Sequence, residues 1–85
     1  MAPMHELKKT FEADGIQYRI YQLTAARDLP RNQVWFALVD SAGSDWGFIL
    51  FGKPGHWRSS SGPGSHPQYT ATFAGEVNSG AIELS

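Results

Sequence analysis

Residues 34–51 read VWFALVDSAGSDWGFILF: two apolar runs, Val34 to Val39 and Trp46 to Phe51, parted by Asp40-Ser-Ala-Gly-Ser-Asp45. Short apolar runs bounded by turn formers and rich in aromatic and β-branched residues read as strands rather than helices. Neither run alternates with polar residues, so both faces of this ribbon call for burial. A loop at Ser41 to Ser44 puts Trp35, Ala37, Val39, Trp46, Phe48 and Leu50 on one face, with Val34, Phe36, Leu38, Ile49 and Phe51 on the other. It also sets Asp40 opposite Asp45 as turn-forming carboxylates, able to share a cation. Leaving four large side chains of one face in water forfeits about 8 kcal/mol, at about 2 kcal/mol each. A small domain's whole stability is about 5 to 15 kcal/mol. The sheet therefore closes on itself, or another molecule covers it. Trp35, Trp46, Phe48 and Phe51 are accordingly candidates for core or for self-association as a homodimer.

Upstream, Glu6 to Ala13 and Ile16 to Leu23 flank Asp14-Gly15, the pair favoured in a two-residue type I′ hairpin turn. That turn pairs Ala13 with Ile16, Phe11 with Tyr18, Lys9 with Ile20 and Leu7 with Gln22 on a mostly apolar face. The opposite, mostly polar face pairs Glu12 with Gln17, Thr10 with Arg19, Lys8 with Tyr21 and Glu6 with Leu23. Thr24 and Pro30 bracket room for one short helical turn near 24–30. Downstream, residues 53–68, KPGHWRSSSGPGSHPQ, read as one long Gly/Pro/Ser loop, of a length usually functional or disordered. Tyr69 to Val77 alternates as a strand, with Tyr69, Ala71, Phe73 and Val77 on one face. Asn78-Ser-Gly80 then turns into a last short strand, Ala81 to Leu84. The expected fold is mainly β, β-rich α+β at most. Five or six antiparallel strands form a small sandwich or open barrel.

The 85 residues suffice for one domain, 1–85. A net charge of −1 excludes gross electrostatic attraction to nucleic acid or anionic membrane as the main driving force. Absence of cysteine excludes disulfides, thiolate catalysis and Cys-ligated zinc. No apolar run approaches the roughly 18 residues of a membrane span. The opening MAPMHELKK lacks the apolar centre of a secretory signal, so a cytoplasmic setting, bacterial in type, is expected.

Gly47 to Lys53 fits G-x-x-x-x-G-K in letters only, since the intervening residues are strand core and Pro54 has no hydroxyl for magnesium. Gly62-Pro-Gly64-Ser-His-Pro67 lacks the third glycine of a dinucleotide fingerprint. His5, His56 and His66 are not spaced as metal ligands. No metal or other cofactor is expected. Ser59-Ser-Ser61 beside His56 suggests a small hydrolase, but a Gly/Pro/Ser loop does not hold a nucleophile and base rigidly. A non-enzymatic role is expected.

Charge is segregated along the chain. From Trp46 to Gly75 there is no Asp or Glu, and that stretch carries +2 while the remaining 55 residues carry −3. Lys53, His56, Trp57 and Arg58 form its centre. Trp and Arg dominate interface hot spots, and a loop can present them. These four are the expected contacts with an acidic or phosphate-bearing surface on a larger protein. In the competing reading Trp57 folds back over the sheet and Arg58 is merely solvated. Aromatic residues on strands beside a basic loop also describe single-stranded nucleic-acid binders, the second expectation.

Residues 10–26, TFEADGIQYRIYQLTAA, resemble the opening hairpin of small phage tail-associated accessory and assembly proteins. The resemblance covers about a fifth of the chain and carries no site residue. It implies a phage or mobile-element origin and action by binding, blocking or assembling a larger protein, as an inhibitor, adaptor or assembly factor.

Overall fold

The computed structural model describes residues 5–24, 30–60 and 66–85. Asp14 and Gly15 have φ of 54° and 77°, the left-handed pair that a type I′ turn requires. They join strand β1 (His5–Ala13) to β2 (Ile16–Leu23). Ala13 faces Ile16, Phe11 faces Tyr18 and Lys9 faces Ile20, as the turn dictates. Between Leu7 and Lys9 the register shifts, so Leu7 meets Tyr21 rather than Gln22, and Glu6 meets Gln22. A bulge bearing a lysine on a sheet's edge discourages pairing with a further strand.

The chain continues through β3 (Gln33–Asp40), β4 (Asp45–Phe51) and the short β5 (Arg58–Ser59). The strands form one antiparallel meander in sequence order, curled into a half-barrel. The expected β3–β4 register is off by one: Val39 faces Asp45, Leu38 faces Trp46 and Phe36 faces Phe48. The cause lies in the loop. The Asp40 carboxylate accepts hydrogen bonds from the Ala42 and Ser44 amides at 2.9 and 3.0 Å, and the Asp40 amide donates to the Ser44 carbonyl at 3.1 Å. A slip of one residue exchanges the faces of a strand. Val34, Phe36 and Leu38 therefore share the inner face with Trp46, Phe48 and Leu50, while Trp35, Ala37 and Val39 share the outer face with Ile49 and Phe51. Asp40 and Asp45 do not oppose each other.

The expected strand over Tyr69 to Val77 is a helix, α1 (Pro67–Asn78). Periods of two and of about four coincide at Tyr69, Phe73 and Val77, so alternation there cannot separate strand from helix. Pro67 in the first turn and the run of Ala71, Ala74 and Glu76 favour the helix. Asn78-Ser-Gly80 closes it: Gly80 takes φ 86°, and the Ala81 and Ile82 amides donate to the Glu76 carbonyl at 3.0 and 3.2 Å. Residues 81–84 form no strand; Ile82 and Leu84 pack on the core from an irregular segment. The Gln22 side chain, buried on β2, clamps Ser85 by donating to its carbonyl (3.1 Å) and accepting from its amide (3.0 Å). The helical turn expected near 24–30 falls on residues 25–29, outside the described residues.

Helix α1 fills the concave side of the sheet. Phe73, fully buried, meets the Phe36 and Phe48 rings edge-on at 5.0 and 5.9 Å between centroids, and those two stack at 5.1 Å. Ile20, Leu38 and Leu50 complete the centre with no exposure. Beside it, Tyr18 lies within 5.5 Å of Phe11, His66 and Tyr69, and Trp46 meets His66 at 4.8 Å. Burial raises the Tyr18 phenol's pKa above its ordinary value, with Tyr69, Asp40 and Asp14 pushing the same way. Among the described residues no helix is long and apolar enough to cross a membrane.

Candidate functional site

The inner face is covered, and the outer face is where large apolar side chains remain in water. Among the described residues Leu7, Ile16, Trp35 and Phe51 are the large hydrophobic residues exposed by more than a third, and of these Ile16 lies at the β1–β2 turn, in phase with the inner-face residues Tyr18 and Ile20. Trp35 and Phe51 belong to adjacent strands and point outward as diagonal neighbours, Trp35 opposite Ile49 and Phe51 opposite Gln33. The Trp35 indole N–H donates to the Gln33 side chain on the same strand at 3.3 Å. Between the flanking rings the sheet is thin in side chains, because Ala37 pairs with Gly47. Two shallow cavities result, each of about 310 Å³: one is bounded by Tyr21, Ala37, Val39 and Asp45, the other by Leu23, Trp35, Gly47 and Ile49.

At the upper edge of this face the chain turns back through Gly52 to His56. The His56 amide donates to the Lys53 carbonyl at 2.9 Å, with Pro54 and Gly55 (φ 83°) between them. Proline followed by a residue of positive φ is the pattern of a type II turn. Gly52 has φ 124°, and a Cβ there would lie 2.9 Å from the His56 carbonyl oxygen. Only glycine fits that approach. The turn delivers Trp57 to the core, where its exposure falls to 8%. The Asn78 side chain fixes it there, accepting from the Trp57 amide at 2.7 Å and donating to the Trp57 carbonyl at 2.9 Å.

Trp57 is therefore not a contact residue on a free loop, and residues 53–60 are an ordered turn and strand. Trp57, just ahead of β5, is buried while Arg58 is exposed, so the two are not offered to one surface together. Arg58 goes outward, its guanidinium 5.8 Å from the centre of the Phe51 ring. Lys53 and His56 are exposed on the turn. Of the four aromatic residues named as core or self-association surface, Phe48 is core and Trp46 packs against it, whereas Trp35 and Phe51 stand outside. The outer-face corner of Trp35, Phe51 and Arg58 was hidden by the register, since Trp35 and Phe51 were assigned to opposite faces.

Charge follows the strand ends. Arg31 enters β3, Lys53 leaves β4 and Arg58 opens β5, all at one end and all exposed. At the other end lie Glu12, Asp14 and Asp45, exposed, and Asp40, half-buried, with Arg19 the nearest cation on the outer face. The ion pairs among the described residues, Lys8 with Glu6 and Lys9 with Glu76, involve none of these groups. Ser60 is occupied in the sheet, its hydroxyl accepting from the Ile49 amide at 3.0 Å. No three His, Asp or Glu side chains come together among the described residues as a metal site. Comparison with protein-family models, with curated proteins and with solved structures finds no match.

Proposed function

We propose that this chain is a non-enzymatic protein-binding module that docks on an acidic or phosphate-bearing surface of a larger protein. Trp35 and Phe51 serve as apolar anchors, and Arg58 and Lys53 as charged contacts. The observation that carries the reading is the corner itself: an arginine over an exposed phenylalanine, next to an exposed tryptophan, with no carboxylate paired to it among the described residues. An aromatic and arginine cluster of this kind is what interface hot spots are made of, and apolar surface rimmed by charge marks a recognition site. Within this reading the chain acts as an inhibitor, adaptor or assembly factor. The resemblance of residues 10–26 to phage tail-associated proteins supports a phage or mobile-element origin, and with it the cytoplasm of a bacterial host.

The variant Trp35→Ala/Phe51→Ala/Arg58→Ala tests the reading. It melts within a few degrees of wild type but loses the protein captured by the wild-type chain; unchanged capture overturns the assignment. The same two exposed rings on adjacent strands also favour a second reading, single-stranded nucleic-acid binding, in which bases stack on Trp35 and Phe51. Oligo(dT) binding with a steep salt dependence selects that reading instead.

A further inference from the structure

We infer that this face also pairs with a second copy of this chain, packed outer face on outer face, when the larger protein does not hold it. The pair's two-fold axis lies in the interface and runs across the strands. The inference rests on the outer-face reading and adds a second occupant of that face.

The charge distribution selects both the partner and the orientation. Such an axis lays each strand antiparallel over its own copy, so one molecule's cationic end covers the other's acidic end. Lys53 and Arg58 come over the end that holds Asp45. The contact is made twice by symmetry, as an isologous interface demands. An axis along the strands would instead stack cations on cations, and like charges across an interface are strongly disfavoured.

Shape agrees with charge. Ile49, on β4, lies midway between Asp45 and Lys53, so setting one over the other centres the axis on Ile49 and its partner Trp35. Turning the face end for end about that axis places the Phe51 ring over Gly47 of the second copy, in the cavity of about 310 Å³ beside Leu23, Trp35 and Ile49. A projecting ring thus meets a hollow where the side chains are small. Strand-to-strand association along β1 is disfavoured, because its edge carries the Lys8 bulge.

The area sets the strength. Four strands about 4.8 Å apart and about 25 Å long offer roughly 500 Å² per copy. That is at the small end of specific interfaces, the size typical of weak, reversible association.

Sedimentation equilibrium on wild type and two charge-reversed chains tests this. One variant is Lys53→Glu/Arg58→Glu, the other Asp45→Lys; thermal melts check that each is folded. Wild type dimerises as its concentration rises, and each variant alone dissociates at least about tenfold more readily, since like charges now face each other. An equimolar mixture associates again, because the acidic face of one variant meets the basic face of the other. A monomeric wild type, variants that dimerise unchanged, or a mixture that stays monomeric overturns the inference. If wild type is monomeric but the triple alanine variant still loses a captured larger protein, the docking reading stands and only the second copy falls. If the mixture associates while that variant captures as wild type does, the second copy stands and the larger partner falls.

Discussion

Trp35 and Phe36 are neighbours on one strand, and the sheet gives them opposite surroundings. Phe36 is sealed among Phe48 and Phe73, while Trp35 keeps 40% of its surface in water. The same holds across the ladder for Leu50, fully buried, and Phe51, exposed. The two faces are both apolar on β3 and β4, but one helix can cover only one of them. Inner-face residues hold the fold, and outer-face residues are free for contact.

The largest effect that separates the faces is Phe73→Ala. It removes the helix side chain that fills the aromatic triangle, and a truncation of that kind costs about 3 to 5 kcal/mol. Urea unfolding should show it as a large loss, in contrast to a nearly unchanged Trp35→Ala. Next comes Asn78→Leu, which strips both hydrogen bonds from the buried Trp57 backbone. Buried amide groups left unpaired cost about 1 to 3 kcal/mol, and Trp57 fluorescence should shift toward that of exposed indole.

Trp35→Ala itself should change stability by no more than about 0.5 kcal/mol, the usual range for surface positions, as read by denaturant midpoint. A larger loss would mean that Trp35 belongs to the core and the comparison of faces fails.

Acid unfolding gives the smallest effect, away from both faces. The Ser85 hydroxyl and then the Lys8 ammonium donate to the Glu6 carboxylate and hold its pKa below the ordinary value. Glu6 therefore contributes stability above its unfolded-state pKa, and that contribution is lost as pH falls through the lower folded value. Glu6→Gln should lower the neutral-pH melting temperature slightly and flatten the acid limb of stability against pH, the two chains converging at low pH.

Much of the architecture is written locally in the chain. Asp14-Gly15 specifies its turn and the first pairs of the hairpin without outside help. The two apolar runs announce β3 and β4 by composition alone. Register was not legible in the second hairpin, because both strands are apolar on both faces and alternation provides no phase; the Asp40 carboxylate, bonded into its own loop, decides it. The helix was concealed because Tyr69, Phe73 and Val77 satisfy either period, and Pro67 was the available signal. Trp57 and Arg58 look like one motif in sequence. In the fold the first is buried and the second exposed, and Asn78, twenty-one residues on, holds the first of them in place.

Two tryptophan indole N–H signals read the central claim most directly, that contacts form on the outer face and not the inner. In proton–nitrogen NMR spectra recorded from dilute to concentrated protein, the Trp35 indole should move progressively while the Trp57 indole stays fixed. A stationary Trp35 signal across that range, or a Trp57 signal that moves in its place, would contradict the account.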